Sequence, residues 1–117
     1  GLPGETRESA ERTIALARGL KLDIASFAIA TPDLGTRLRE EAVAKGWIPA
    51  DLAAWDSTEY PILETGTLSK EEIWDLRRKA VRSFFLRPGY ILGKLLGVRS
   101  PRDAASLVSN ALALLRK

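Results

Sequence analysis

The nine residues from Leu22 to Ala30 limit the choice of fold more than any other part of the chain. They are almost continuously apolar, carry Ile24, Phe27 and Ile29, and are bounded by Lys21 and Pro32. A short apolar run that follows a helical pattern reads as a strand buried on both faces, as the parallel strands of a βα barrel are. The residues ahead of it supply that helix. Gly1–Glu5 has turn chemistry, with Pro3 fixing one dihedral between glycines. Thr6 is placed to cap a helix, and Glu8 sits in the first turn, where the macrodipole favours an anion. Ala10, Ile14, Ala17 and Leu20 recur at helical spacing, and Gly19 stands where a C-terminal glycine belongs. After the run, Thr31-Pro-Asp-Leu-Gly35 makes a loop, and Thr36 can cap a second helix ending near Gly46. Residues 1–46 therefore read turn–helix–strand–loop–helix, half of an alternating α/β pattern.

The second half reads as helical. Across 47–68 the pattern is irregular, with a short helical turn expected from Pro49 through Trp55 and a short extended piece over Tyr60–Thr65. Ser69-Lys-Glu-Glu72 is a capping box. The helix it opens carries Ile73, Leu76, Ala80 and Phe84 on one face, with Trp74, Val81 and Phe85 beside them. It ends before Pro88-Gly89. Tyr90–Leu96 reads as a short helix. Ser100-Pro101 opens a last one, with Ala104, Val108, Ala111 and Leu115 on its apolar side. The expected divisions are 1–46, an irregular connection over 47–68, and a helical tail over 69–117. No internal repeat or low-complexity stretch is present.

Residue types missing from the chain limit its chemistry. Without cysteine there is no disulfide framework, thiolate nucleophile or thiolate-held metal. Without histidine the commonest general base and metal ligand is gone. Catalysis by this chain alone is not expected. The chain also lacks methionine and opens directly on a glycine turn, which reads as a truncation. No apolar run approaches the roughly 20 residues that span a bilayer, and no signal peptide is present, so a cytoplasmic location is expected. Charge is split: residues 1–76 hold 8 Lys/Arg against 14 Asp/Glu, and residues 77–117 hold 10 Lys/Arg against Asp103 alone. A basic end of this kind suits an acidic surface, on the same protein or elsewhere.

The Gly1-Leu-Pro-Gly-Glu-Thr6 turn is followed by a helix and then a buried strand ending in Thr31-Pro-Asp-Leu-Gly-Thr36. This order resembles the last two βα units of the radical S-adenosylmethionine barrel. There the fifth strand runs into a glycine–glutamate turn and the sixth often ends in Pro-x-x-Gly-Thr. Three further features resemble the subgroup that carries a cobalamin-binding domain, which includes the anaerobic oxidative cyclase of magnesium-protoporphyrin monomethyl ester and several methyltransferases. They are Pro32-x-x-Gly35-Thr36-x-Leu38 running on to Gly46, Leu68-Ser69-x-Glu71-Glu72, and Arg82-Ser-Phe-Phe-Leu-Arg87-Pro88. The implied fold class is α+β and mostly helical: the end of a partial (β/α)6 barrel followed by a C-terminal helical extension.

The resemblance implies a parent enzyme with S-adenosylmethionine, a 4Fe–4S cluster and cobalamin as cofactors. Its Cys-x-x-x-Cys-x-x-Cys loop would lie upstream, in N-terminal domains that are the first expected partner. The implied reaction is reductive cleavage of S-adenosylmethionine to a 5′-deoxyadenosyl radical, followed by hydrogen abstraction or cobalamin-borne methyl transfer. Gly1, Leu2, Pro3, Gly4 and Glu5 match the turn that approaches the adenosyl moiety, and Phe27 and Ile29 match the cofactor-side strand. Ser26, Thr31 and Pro32 are the implied substrate-lining residues. Strand alternation puts Ile24, Ser26 and Ala28 on one face and Ala25, Phe27 and Ile29 on the other, leaving open which one looks inward. A strand without its neighbours is expected to drive self-association or strand exchange. The alternative function is a basic helical module built on Arg77-Arg78-Lys79, Arg82, Trp74, Phe84 and Phe85, binding nucleic acid or an acidic surface. Helical spacing favours instead a solvated charged face over packed aromatics, and no nucleic-acid-binding signature is present.

Overall fold

The computed structural model describes residues 1–52, 60–97, 100, 105 and 109. Four helices make up its regular structure: α1 (Arg7–Gly19), α2 (Arg37–Ala44), α3 (Lys70–Phe85) and α4 (Pro88–Leu96). The mostly helical character expected from the sequence is present. The helix expected after Ser100 and the turn reaching Trp55 lie outside the described residues.

Each helix starts where its cap chemistry puts it. Thr6 accepts from the Ser9 amide and Ser9 Oγ reciprocates on the Thr6 amide at 2.9 Å, a capping box whose third position is a serine. Ser69 and Glu72 form the box read from the sequence, at 3.2 and 3.0 Å. Thr36 accepts from the Arg39 amide to start α2. The end of α2 is a Schellman motif: the Trp47 amide reaches the Ala42 carbonyl at 2.8 Å and the Gly46 amide the Val43 carbonyl at 3.0 Å.

The end of α1 differs from expectation. Gly19 does not enter the left-handed region, and Leu20 follows in extended geometry. The orphan carbonyls are taken instead by Arg87, from beyond α3. Its Nη1 donates to Arg18 O at 3.1 Å and Leu20 O at 2.8 Å, its Nη2 to Leu22 O at 3.0 Å, and its Nε to Phe84 O at 2.7 Å. A cation at a helix C-terminus also complements the macrodipole.

Helix α1 packs against α3, so the first segment of the chain and the last share one core. Ala10 and Ile14 meet Ile73, Leu76 and Ala80, and Ile29 and Leu68 close the layer. The face read from the sequence for α3, Ile73, Leu76, Ala80 and Phe84, is the buried one. Phe84 is fully enclosed, edge-on to Phe27 at 5.9 Å and Phe85 at 5.1 Å, with the Arg87 guanidinium 3.8 Å above its ring. A smaller cluster of Ala42, Ile48 and Leu63 sits under α2, Trp47 and Leu52. Helix α4 contributes Tyr90 to the aromatic group and leaves Ile91, Leu92, Leu95 and Leu96 exposed.

The strand expected over Leu22–Ala30 is not formed, and no strand occurs among the described residues. No backbone–backbone hydrogen bond involves residues 21–30. A strand is defined by its ladder, and no neighbouring segment is in place to provide one. The alternation of an extended chain persists all the same: Ile29 is buried and Phe27 and Ala25 half-buried, whereas Ile24, Ser26 and Ala28 are exposed. The piece at Tyr60–Thr65 likewise forms no strand, only an isolated bridge from Thr65 to Leu68.

Candidate functional site

The N-terminal turn and the extended segment meet at one cleft. Leu2–Glu5 is a tight turn closed by the Glu5 amide on the Leu2 carbonyl at 3.0 Å, with Pro3 second and Gly4 third. Gly4 has φ +81°, a value the third position of a type II turn requires and side chains other than glycine rarely adopt. Thr67 Oγ1 donates to the Glu5 carbonyl at 2.7 Å, tying this turn to the bend that leads into α3. Gly1 lies against Ile73 so closely that an added Cβ would come within 3.1 Å of its Cδ1.

These ties hold Gly1 and Glu5 beside the 26–29 segment. With Ala10, Thr13 and Ile14 of α1 and Ile73, Leu76, Arg77 and Ala80 of α3, they enclose about 270 Å³. Five of the residues that the sequence singled out therefore come together here: Gly1, Glu5, Ser26, Phe27 and Ile29. Phe27 and Ile29 turn toward the α1–α3 core, and Ser26 lies on the exposed face with Ile24 and Ala28. Leu2 is exposed, and neither it nor Pro3 nor Gly4 lines the cleft. Thr31 and Pro32 lie apart from it. The Thr31 hydroxyl donates to Ile29 O, while Pro32 is buried with its carbonyl accepting from Arg39.

A larger groove of about 580 Å³ runs between the end of α1 and α4, lined by Arg18, Lys21, Arg87, Tyr90, Lys94 and neighbouring backbone. Size alone would favour it. However, Arg87 already donates to four carbonyls, and none of the residues that the resemblance implies for cofactor or substrate lines the groove. The smaller cleft is the better candidate because it joins turn, extended segment and core.

Sequence reasoning placed the basic residues outward, and the structure redistributes them. Arg77 is half-buried and its Nε donates to the Phe27 carbonyl at 3.1 Å, with its guanidinium 5.2 Å from the Trp74 ring centroid. Arg78 pairs with Asp75, and Lys79 reaches Glu11 at 2.6 Å. Arg78 and Lys79 are thus paired with carboxylates of the same fold, and Arg77 is anchored through its Nε alone. The signal for Arg77 was available in the sequence: it follows Leu76 directly and precedes the buried Ala80 by three, placing it at the edge of the apolar stripe.

Titration at the rim follows the same contacts. The Glu11 carboxyl is held below its ordinary value by the hydrogen bond and charge of Lys79. Glu72 is lowered by the Ser69 amide and then by Arg7. Glu71 is lowered by a backbone amide and the Tyr60 hydroxyl, and Glu71 in turn pushes the Tyr60 phenol up. No group of three or more His, Asp or Glu residues with metal-binding geometry occurs among the described residues. None of the helices among these residues is long and apolar enough to cross a membrane.

One curated relative is similar to this chain: 41% identical over 92 residues to the uncharacterized methyltransferase PH0819 of Pyrococcus horikoshii. The match takes in 79% of this chain and 20% of that protein, so the chain spans about a fifth of its relative's length. No protein-family description matches the chain. No solved structure matches it either.

Proposed function

We propose that this chain is the C-terminal wall and tail of an S-adenosylmethionine-dependent enzyme of methyltransferase type, built on the radical chemistry that the sequence resemblance implies. The observation that carries the reading is the cleft. It gathers the glycine–glutamate turn and the 26–29 segment, more than 20 residues apart in sequence, against one helix pair. The identity to PH0819, a methyltransferase by name, supports the methyl-transfer class.

The cofactors fit unequally. A nucleoside finds apolar wall from Phe27, Ile29 and Ile14, and polar atoms from Ser26, Thr13 and Glu5. At about 270 Å³ the cleft falls short of the roughly 300–1,000 Å³ of a complete ligand pocket. It is read as one wall of a site completed by another part of the enzyme. An iron–sulfur cluster does not fit: the chain has no cysteine to ligate it. Cobalamin has no support among these residues.

The same reading gives the extended segment its partner. Its backbone lacks a ladder and its Ile24–Ser26–Ala28 face is exposed, the state of a strand awaiting neighbours. In the enzyme these would be strands of the remaining domains, and in the isolated chain a second copy. A tetrapyrrole substrate rests on the sequence resemblance alone.

Titration of the isotope-labelled chain with S-adenosylmethionine, followed by amide NMR, tests the assignment. Saturable shifts are expected at Glu5, Ser26, Phe27 and Ile29. Shifts confined to the Tyr90–Lys94 groove, or none at all, would remove the cleft from consideration.

A further inference from the structure

We propose that Arg77 is the anion-gripping residue of this cleft, recognising a carboxylate or phosphate group on the ligand bound beside Ser26 and Ala28. The proposal rests on reading the cleft as a ligand site and adds the chemical class of what enters it.

Three observations carry it. Arg77 is fixed in position before any ligand arrives. Its Nε donates to Phe27 O at 3.1 Å, and its guanidinium lies by the Trp74 ring, which is itself 5.7 Å from Tyr60. Little side-chain entropy is left to lose when a ligand binds. Next, that anchoring uses only Nε. The two terminal amino groups, the fork that matches a carboxylate or phosphate in bidentate fashion, donate to no acceptor among the described residues. Finally, Arg77 is the unpaired charge on the cleft. The other charged side chain on its wall, Glu5, is paired with the Gly1 amine, and Arg77 has no carboxylate partner within salt-bridge distance among the described residues.

Five other arginines are already engaged. Arg39 donates to three carbonyls and Arg87 to four, while Arg7, Arg12 and Arg78 are paired with carboxylates. A lysine at position 77 would keep the charge but lose both the Nε anchor and the planar fork, so recognition depends on arginine specifically.

The test uses the full chain and two simple probes, inorganic phosphate and acetate, followed through the arginine Nε–H resonances and the Ser26 and Ala28 amides. A saturable shift of the Arg77 Nε–H with the two cleft amides is expected for both probes. Arg77→Gln should weaken that response at least tenfold, with Arg77→Lys falling between. Circular dichroism melting shows whether each variant is folded, and Arg77→Lys serves if Arg77→Gln is not. Cleft shifts of equal size in folded Arg77→Gln would overturn the proposal, as would shifts centred on Lys21 and Lys94 or rising linearly with salt. Neither probe contains an adenosyl group. If S-adenosylmethionine leaves the cleft untouched while the anions still bind through Arg77, the cofactor assignment falls and the anion site remains.

Discussion

The α1–α3 pair and the segment from Pro32 to Leu52 solve the same problem by opposite means. In the helix pair the backbone along the contact is satisfied within each helix, with only the ends left to caps and to Arg87, so the interface can be apolar: Ala10 and Ile14 against Ile73, Leu76 and Ala80. Its polar links stay at the exposed rim, Glu11 with Lys79 and Arg7 with Glu72. The 32–52 segment is mostly loop, and loop carbonyls in an interior need donors. Arg39, only 7% exposed, provides them at Pro32 O (3.4 Å), Ala50 O (3.1 Å) and Leu52 O (2.5 Å). Helices can hide their backbone, whereas loops need a buried cation.

The comparison breaks hardest at Phe84. It is fully enclosed and touches Phe27, Phe85, Tyr90 and the Arg87 guanidinium, joining α3 to the extended segment and the end of α1. Phe84→Ala is expected to cost about 3–5 kcal/mol, the range for truncating an enclosed aromatic. Against a total stability on the order of 5–15 kcal/mol, that approaches unfolding. Urea denaturation should show the midpoint collapse, with the Phe27 resonances broadened first. A loss under about 1 kcal/mol would mean that the aromatic group is not part of the α1–α3 core.

Arg39 breaks the other half. Arg39→Met keeps the side-chain length and leaves the buried Pro32 carbonyl and the part-buried Ala50 and Leu52 carbonyls without this donor, a loss of about 1–3 kcal/mol. The effect is expected to be local. Hydrogen exchange should accelerate over residues 38–52 while the amides of α1 and α3 keep their protection. Equal acceleration in both regions would show one cooperative unit and dissolve the contrast.

The two regions also differed in how far the sequence revealed them. The buried face of α3 and its Ser69–Glu72 box were legible because helical period and cap chemistry are local signals. The Leu2–Glu5 turn was legible for the same reason, as proline and glycine occupy the positions that its geometry requires. The strand at Leu22–Ala30 was read from composition, but a ladder is a property of the neighbour as much as of the segment. Its alternation was legible, and the identity of the inward face required the packing of Phe27 and Ile29 on α1 and α3. The carbonyl partners of Arg39, Arg77 and Arg87 were the least legible. An arginine that caps distant carbonyls looks in sequence like any charged residue, because most of its partners lie 7 to 69 positions away.

The smallest expected effect is also the most selective, because acid should distinguish the two regions without any mutation. Glu11, Glu71 and Glu72 are each held below the ordinary value of 4.5 in the folded chain. A group whose pKa is lower folded than unfolded stabilises the fold in full above the unfolded value, and that contribution fades as pH falls through the folded one. The α1–α3 rim should therefore begin to loosen as pH drops below about 4.5. The Arg39 links to the Pro32, Ala50 and Leu52 carbonyls contain no carboxylate, so residues 38–52 should keep their relative protection. Tyr60 contributes with the opposite sign: its raised pKa means stability present up to about pH 10 and lost above it. Hydrogen exchange at pH 6 and pH 3.5, corrected for intrinsic rates, reads the first difference directly. Glu72→Gln should flatten the acid response at the N-terminus of α3 specifically, since it removes the carboxylate that serves both the Ser69 amide and Arg7. An acid response unchanged in that variant would shift the titrating contribution to Glu11, whose carboxylate pairs with Lys79 further along the same interface.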